Sequence, residues 1–583
     1  MAKQLNAEQK TISQILNDPT KNKFLIPDYQ RSYSWEQEQC ETLWGDILSF
    51  TFPIDHAFDA NNDRYFLGTI LTYQNSSYEH EVIDGQQRLI TFLLMLRAFY
   101  QAFEKIDCKN KENILASIGK CLWETDEFGN VEKTSLKLNS EVASDEDTAE
   151  FKKILETGTS TEKNSSNYAV NYSLFVKWIE DFKKDNPENF SYLPMRILNN
   201  CILLPIEADN QNTALRIFTT LNDRGMPLSD ADIFKAQFYK FFSRKGKQAK
   251  EKFIRRWKDL EELCDKNFHP RKGTPTDDLF MRYMYYAKTK RAVKANKRIS
   301  DTFSNMRDFY SESNYEIFQS EDTFEDLVTL ANFWDNVAER NEKFSSQVLK
   351  KLYTLDCSPY SVWSYVVSLY FMSNRDAENN LDEEKFCAFL DKVTAMILMN
   401  AISESGTQNI RRPFVLEFKD IFYGETLEFD EQFKPQEKIF CRRLMDMGFS
   451  NNKKVTRTMI TWWLFRDPAQ ELPPLGTKLN IEHIYSRSRH ENFQQLANSD
   501  ALEFLGNKAL LEEKINKKIS DNPFNDKKIY YLGDGKSKTG TFNLELRNLA
   551  KTCDYFTEEN ILERNEKIFE AFIDYLRENN LLI

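Results

Sequence analysis

Residues 82–96 read VIDGQQRLITFLLML: a short β-like run, then Asp84, Gly85, Gln86, Gln87 and Arg88, then a strongly apolar stretch. A helix apolar on nearly every side must be buried, so this stretch calls for a packed α/β layer around it. The polar residues sit where that helix begins. Asp84 is placed to cap it, and Gly85 permits a tight turn with its backbone open. A helix N-terminus carries partial positive charge and outward amides, so Arg88 in its first turn suits a phosphate. Gln86 and Gln87 add neutral donors and acceptors able to hold a base, a ribose or an attacking water. The same residues would equally serve a plain capped helix.

The neighbouring segments extend the pattern. RYFLGTILTYQ, HEVIDG and CILLPIEAD read as strands, NTALRIFTTLN and DADIFKAQFYKFF as helices, and together they suggest one α/β domain over residues 1–245. In IPDYQRSYSW, residues 26–35, an extended chain would put Tyr29, Arg31, Tyr33 and Trp35 on one face and Gln30, Ser32 and Ser34 on the other. Such an aromatic and arginine face can stack on a nucleobase. A third polar turn, Asn222, Asp223, Arg224 and Gly225, precedes a helix capped by Ser229 or Asp230. Between these pieces, at about 101–200, VASDEDTAE and TGTSTEKNSSN read as polar insertions looping over the surface.

At 583 residues the chain is too long for one core. Residues 246–465 read as long amphipathic helices with few Gly or Pro, and 466–583 begin at the breaker RDPAQELPPLGTK as a separate compact unit. The fold class expected is therefore multidomain α+β, predominantly helical. A net charge of −12 argues against indiscriminate coating of nucleic acid, yet residues 240–258 carry nine basic residues and one acid, and 288–298 carry six and none. Nine cysteines without a C-x-x-C pair argue against a zinc ribbon or a disulfide framework. No apolar run reaches the roughly 20 residues of a membrane span, and MAKQLNAEQK has no hydrophobic signal core, so a cytoplasmic location is expected.

A second constellation lies near the C-terminus. His483 directly follows Glu482 in a β-like run, LNIEHIYSRSRH, and Asn507 and Asn516 flank the run ALL. Phosphodiester hydrolysis needs an activated water and a cation with hard oxygen ligands, which one histidine base, one carboxylate and an amide carbonyl can supply. Asn507 would brace the loop at the strand end while Asn516 turns back from the following helix.

These motifs carry a family resemblance. IPDYQRSYSW, VIDGQQRLITFLLML and FTTLNDRGMPLSDADIFK, in this order over about residues 10–245, resemble the N-terminal ParB-like domain with the DGQQR signature of GmrSD-type modification-dependent (type IV) restriction endonucleases. The resemblance implies nucleoside triphosphate binding and hydrolysis, with GTP favoured. Gln30, Arg31, Asp84, Gly85, Gln86, Gln87, Arg88, Asn222, Arg224 and Gly225 would lie on or near the nucleotide, Asp84 and Arg88 acting in its turnover. No G-x-x-x-x-G-K-[ST] sequence is present, so such an NTPase would be of non-P-loop type.

Residues 470–575 resemble the HNH, or ββα-metal, nuclease domain of the same family. That implies His483 as general base, Glu482 and Asn516 as ligands of Mg²⁺ or Mn²⁺, and Asn507 orienting the loop. Lys514, Lys517, Lys518, Lys527 and Lys528 would contact DNA phosphates. Family members often have proline after EHI-x, where this chain has Ser486. The implied whole is an NTP-dependent, metal-dependent endonuclease restricting modified phage DNA, with DNA and NTP as partners, no membrane, and a homo-oligomer left open. Competing readings are a DNA-modification sensor with a degenerate nuclease and a non-specific nicking nuclease.

Overall fold

The computed structural model describes every residue except 1–7, 19–22, 28–29, 31, 54–56, 76–77, 143–144, 161–165, 210–212, 215–216, 218–228, 271–272, 298, 300–304, 404–406, 493–495 and 534–539. The chain is mixed α+β and mostly helical. It divides into two compact units, Met1–Asp259 and Leu260–Ile583, with the boundary inside the helix Lys247–Asn267. Among the described residues, no helix is long and apolar enough to cross a membrane.

The strands of the first unit are β1 (Lys10–Thr11), β2 (Phe24–Ile26), β3 (Tyr65–Gln74), β4 (His80–Asp84), β5 (Trp123–Thr125), β6 (Val131–Leu136), β7 (Leu138–Ser140) and β8 (Cys201–Ala208). Six form one mixed sheet in the order β1-β8-β3-β4-β2-β7, and β5 pairs with β6 apart from it. β3 runs parallel to β8 and antiparallel to β4, with a register shift between Leu71 and Thr72. The DGQQR turn leaves the end of β4 and enters the helix Gln86–Glu104, in which only Arg88, Gln101 and Glu104 escape burial. That burial is the expected answer to an apolar run of this length.

The segment at 101–200 departs from the expectation of surface loops. VASDEDTAE runs into the helix Asp145–Thr157, β7 extends the main sheet beside β2, and the helix Asn167–Asp185 packs on the buried one. Trp123, Phe151, Ile154, Phe175 and Ile179 all belong to the main core of this unit. Thr148, Ala149 and Glu150 lie in the first of these helices, Glu150 buried, whereas 158–160 and Ser166 are non-helical and 161–165 lie outside the described residues. The apolar positions of the two helices recur at helical spacing and supply the buried side.

The second unit opens with helices from Pro275–Lys294 to Lys454–Leu464. β9 (Leu479–His483) and β10 (Lys508–Glu512) then pair antiparallel, Lys508 opposite His483 and Glu512 opposite Leu479, and the helix Glu513–Ile519 follows at once. These elements keep their own apolar cluster, including Ile484, Leu511, Phe524, Tyr531 and Leu546. They are also tied to the preceding helices. Trp462 meets Phe572 edge-on at 5.2 Å, and the Tyr575 hydroxyl donates to the Asp391 carbonyl at 2.8 Å.

Gly506, in the loop before β10, lies so close to the helix Glu558–Glu578 that a Cβ there would overlap the Ile561 carbonyl oxygen. The loop can seat on that helix only with glycine at this position. Gly506→Ala should therefore cost about 1–3 kcal/mol in a urea unfolding series by overpacking, and an unchanged midpoint would show that the loop does not rest there.

Candidate active site

At the end of β9, Glu482 is buried at 5% exposure, with both carboxylate oxygens engaged. Oε1 accepts from Lys527 Nζ and, at 3.3 Å, from the Tyr531 hydroxyl, while Oε2 accepts from Asn516 Nδ2 at 3.1 Å. Lys527 and Tyr531 stand four apart on the helix Phe524–Leu532, hence on one face of it. Asn516 comes from the helix after β10. Lys527 also donates to the His483 carbonyl at 2.8 Å and the Ile484 carbonyl at 3.3 Å, so its three protons tie the carboxylate to the strand end. Burial pushes the Glu482 carboxyl above its ordinary range, and Lys527 opposes that rise.

His483 is flanked by charges on its Nε2 side. Lys508 Nζ lies 2.9 Å and Glu503 Oε1 3.4 Å from that nitrogen. Lys508 is fully buried and also donates to Asn451 Oδ1 at 2.7 Å and Glu503 Oε2 at 2.9 Å, and Arg487 pairs with Glu503. An ammonium only donates, so Nε2 receives its proton as a neutral acceptor and the ring proton falls to Nδ1. Burial, and then the Lys508 charge, pull the imidazole down to about 4, with Glu503 acting against them.

Asn507 is fully buried and holds the loop. Its Oδ1 accepts from the Tyr485 amide at 2.7 Å, and its Nδ2 donates to the Tyr485 and Leu502 carbonyls at 3.1 Å each.

The donor set can be weighed against a divalent cation. Among the described residues no group of three or more His, Cys, Asp or Glu is placed to share a metal, so a site here has one carboxylate and one amide. Mg²⁺ accepts such a sparse set because it keeps several waters. Two adjacent ligands of an ion bound at about 2.1 Å lie roughly 3 Å apart, which matches the 3.1 Å between Glu482 Oε2 and the end of the Asn516 amide. Turned about its last bond, that amide presents Oδ1 in the same place. The residues fit the cation.

The expected phosphate contacts separate. Lys514, Lys517 and Lys518 are exposed on the helix after β10, with Lys517 paired to Glu513. Lys528 is half-buried and donates to the Cys553 carbonyl at 2.8 Å. Lys527 is excluded as a DNA contact, because its side chain is buried and its ammonium is spent on Glu482 and two carbonyls. Glu503, Lys508 and Tyr531 were not singled out from the sequence. Lys508 had a signal, a charge heading an otherwise apolar run, and Tyr531 had its four-residue spacing from Lys527. Glu503 had none, since only the loop fold brings it to His483.

In the first unit the DGQQR residues serve the fold itself. Gly85, at φ 90°, is the N-cap, and Asp84 is the last residue of β4, which corrects the placement of Asp84 as the cap. The helix begins at Gln86, so Gly85 fills the cap position and Asp84 stands one residue too early to cap it. Asp84 Oδ2 accepts from the Thr69 hydroxyl at 3.4 Å. Arg88 Nη1 donates to the Leu67 and Thr69 carbonyls at 2.9 and 3.0 Å, across Gly68 at φ 109°, where a Cβ would strike the guanidinium. Gln87 accepts from the Ser34 amide at 2.8 Å and donates to the Ser32 carbonyl at 3.1 Å, and Gln30 donates to the Ile83 carbonyl at 3.4 Å.

The segment 26–35 thus meets the DGQQR turn through Gln30, Ser32 and Ser34, while Tyr29 and Arg31 of the expected aromatic face lie outside the described residues. Tyr33 is buried, stacks on Tyr168 at 5.0 Å and bonds Thr91 at 2.7 Å, so it is removed from any nucleobase. Gln86 is buried at the start of the helix. Arg31, Asn222, Arg224 and Gly225 lie outside the described residues. Ser229 caps the helix Asp230–Arg244, with Asp232 completing the box.

Comparison with family models decides the kinship of both sites. Residues 12–239 match the N-terminal domain, and 434–571 the C-terminal domain, of the GmrSD restriction endonucleases. The chain belongs to that family. The GmrSD C-terminal match begins well before β9, which accords with Asn451 reaching Lys508 and Arg457 Nη2 donating to the Leu479 carbonyl at 2.8 Å. Among curated proteins, none matches the chain. Membership places this GmrSD protein among restriction nucleases, whose substrate is DNA.

Because Arg88 braces β3, Arg88→Ala should lower unfolding free energy by about 1.5–3 kcal/mol, the worth of a charge-assisted hydrogen bond lost inside a protein. Circular dichroism against urea reads this directly; equal stability would mean the two carbonyl bonds contribute nothing.

Proposed function

We propose that this chain is an NTP-dependent, metal-dependent endonuclease of the type IV kind, cutting modified phage DNA through an HNH-type site at Glu482, His483, Asn507 and Asn516. The observation that carries the reading is the strand, strand, helix arrangement in which β9 ends on Glu482 and His483 while the helix after β10 returns Asn516 to 3.1 Å from Glu482. Mg²⁺ or Mn²⁺, when bound, would neutralise charge on the phosphate. Glu482 Oε2 and Asn516 would hold it. Asn507 keeps the loop closed so that His483 stands at a fixed distance from the scissile phosphate. His483 takes the proton of the attacking water, and to do so its ring must free a nitrogen lone pair, by leaving Lys508 or by passing the Nδ1 proton onward.

Lys514 and Lys518, exposed beside the site, would contact the DNA backbone. Lys252, Arg255 and Lys258 form an exposed basic stripe in the first unit and would add sequence-independent affinity. For the nucleotide, with GTP favoured, support comes from the N-terminal family match and from the meeting of Gln30, Gln87 and the Gly85 turn. Arg88 would act there by holding β3 rather than by gripping phosphate with Nη1.

A second reading, a sensor of DNA modification with a degenerate nuclease, draws on one observation: the ammonium 2.9 Å from His483 Nε2 weakens the ring as a proton acceptor. One experiment separates the two. Plasmid and hydroxymethylated or glucosylated phage DNA are incubated with the full chain, each NTP and Mg²⁺. His483→Ala should reduce cleavage by about 10²–10⁴-fold, the usual share of a general base, while NTP turnover persists. Binding of modified DNA without cleavage in the wild type under every condition would favour the sensor. Cleavage by His483→Ala at the wild-type rate would remove His483 from catalysis.

Asn507→Ala should also reduce cleavage, together with a loss of about 2–5 kcal/mol in stability from two buried carbonyls and an amide left without partners. A loop that keeps its stability while losing activity would instead make Asn507 a direct contact of the substrate.

A further inference from the structure

The surroundings of Glu482 bear on which divalent cation it would take. A carboxylate can grip a cation with one oxygen or with both. Large, flexible Ca²⁺ takes six to eight oxygens and readily accepts both from one carboxylate; small Mg²⁺ demands near-octahedral geometry and usually takes one. In this chain the two oxygens of Glu482 are not equivalent. Oε1 accepts from Lys527 Nζ and from the Tyr531 hydroxyl at 3.3 Å, which uses both of its lone pairs. Oε2 accepts from the Asn516 amide, a group that can exchange its donor for an acceptor by turning over, and the His483 backbone amide adds a further bond to the carboxylate.

Neither partner of Oε1 can drift away cheaply. The Lys527 and Tyr531 side chains are both essentially buried, Lys527 is pinned by two carbonyls besides, and both sit on one face of the helix Phe524–Leu532. Drawing Oε1 into a coordination shell would take the counter-charge from a buried ammonium and the acceptor from a buried phenol, each at a desolvation cost of its own.

We infer that Lys527 and Tyr531 are specificity-determining residues that restrict Glu482 to one coordinating oxygen, Oε2, and so select small octahedral divalent cations over Ca²⁺. They are positioning residues, acting through Glu482 and touching neither cation nor DNA. The proposal rests on Glu482 being a metal ligand.

The readout is the ratio of Ca²⁺ to Mn²⁺ affinity of the full chain without DNA, from calorimetry for both ions and the manganese EPR signal. The ratio is the right quantity because the Lys527 charge repels both divalent ions alike, and any change in Glu482 ionisation weakens both alike; only the number of coordinating oxygens treats them differently. The wild type should bind Mn²⁺ in preference to Ca²⁺, and Glu482→Gln should weaken both. Lys527→Met should move the ratio toward Ca²⁺ by about tenfold or more, as ligand number and flexibility decide selection between such ions. Tyr531→Phe keeps the ammonium and removes one hydrogen bond; it should move the ratio in the same direction by a smaller factor, and it carries the test if Lys527→Met fails to fold by circular dichroism. Unchanged ratios in the folded variants, with binding still lost in Glu482→Gln, overturn this inference and leave the metal site standing. Binding indifferent to Glu482→Gln overturns the metal assignment itself.

Discussion

A carboxylate enclosed by protein needs a cation, and the C-terminal site is built around that need. Glu482 sits at the end of a two-stranded ribbon, β9 with β10, where its ionised form would be expelled without compensation. The Lys527 ammonium supplies the charge and the Tyr531 hydroxyl a further donor, both from one helix face. The same ammonium fastens the carbonyls of His483 and Ile484, so the backbone that presents the histidine is held by the group that stabilises the acid. A second buried lysine, Lys508, does the matching work for Glu503 and His483. Two ammonium groups thus organise the charged interior of the site, and the exposed lysines of the helix Glu513–Ile519 remain for the outside.

The first unit shows the same economy with neutral groups. Where β4 ends and the buried helix begins, Gln87 bonds the backbone of Ser32 and Ser34 much as a neighbouring strand would, and Arg88 closes over Gly68 onto two carbonyls of β3. A segment without regular structure acquires a fixed path because side chains take the place of a sheet ladder. Polar residues at such a turn therefore hold backbone together. Those already committed to backbone partners fix the path of the segment beside the turn.

Much of this was legible in the residues. The apolar run after Arg88 could be nothing other than a buried helix, the β-branched runs became β3, β4 and β8, and Asn516 lies against Glu482 as its place on a helix after β10 suggested. The order of motifs also pointed to the GmrSD family, which both domain matches bear out. VASDEDTAE enters a helix where its composition suggested a loop, because local polarity does not distinguish the two. Periodicity does, and there Phe151, Ile154 and Leu155 mark the buried side.

The sequence by itself determined which groups carry chemistry, since residue type limits what can donate, accept or hold a charge. It also determined the main elements, because apolar spacing matches only one backbone period. Tertiary structure alone decided how each charged group is spent. Lys527 and Lys518 belong to one basic stretch in the sequence, yet one is sealed against a carboxylate and the other lies in water. Glu503 gains a role only when its loop folds back on β9, and Asp84 ends a strand where a cap was expected. Burial and partner are properties of the folded chain, and the electrostatic role of an ionisable side chain depends on both.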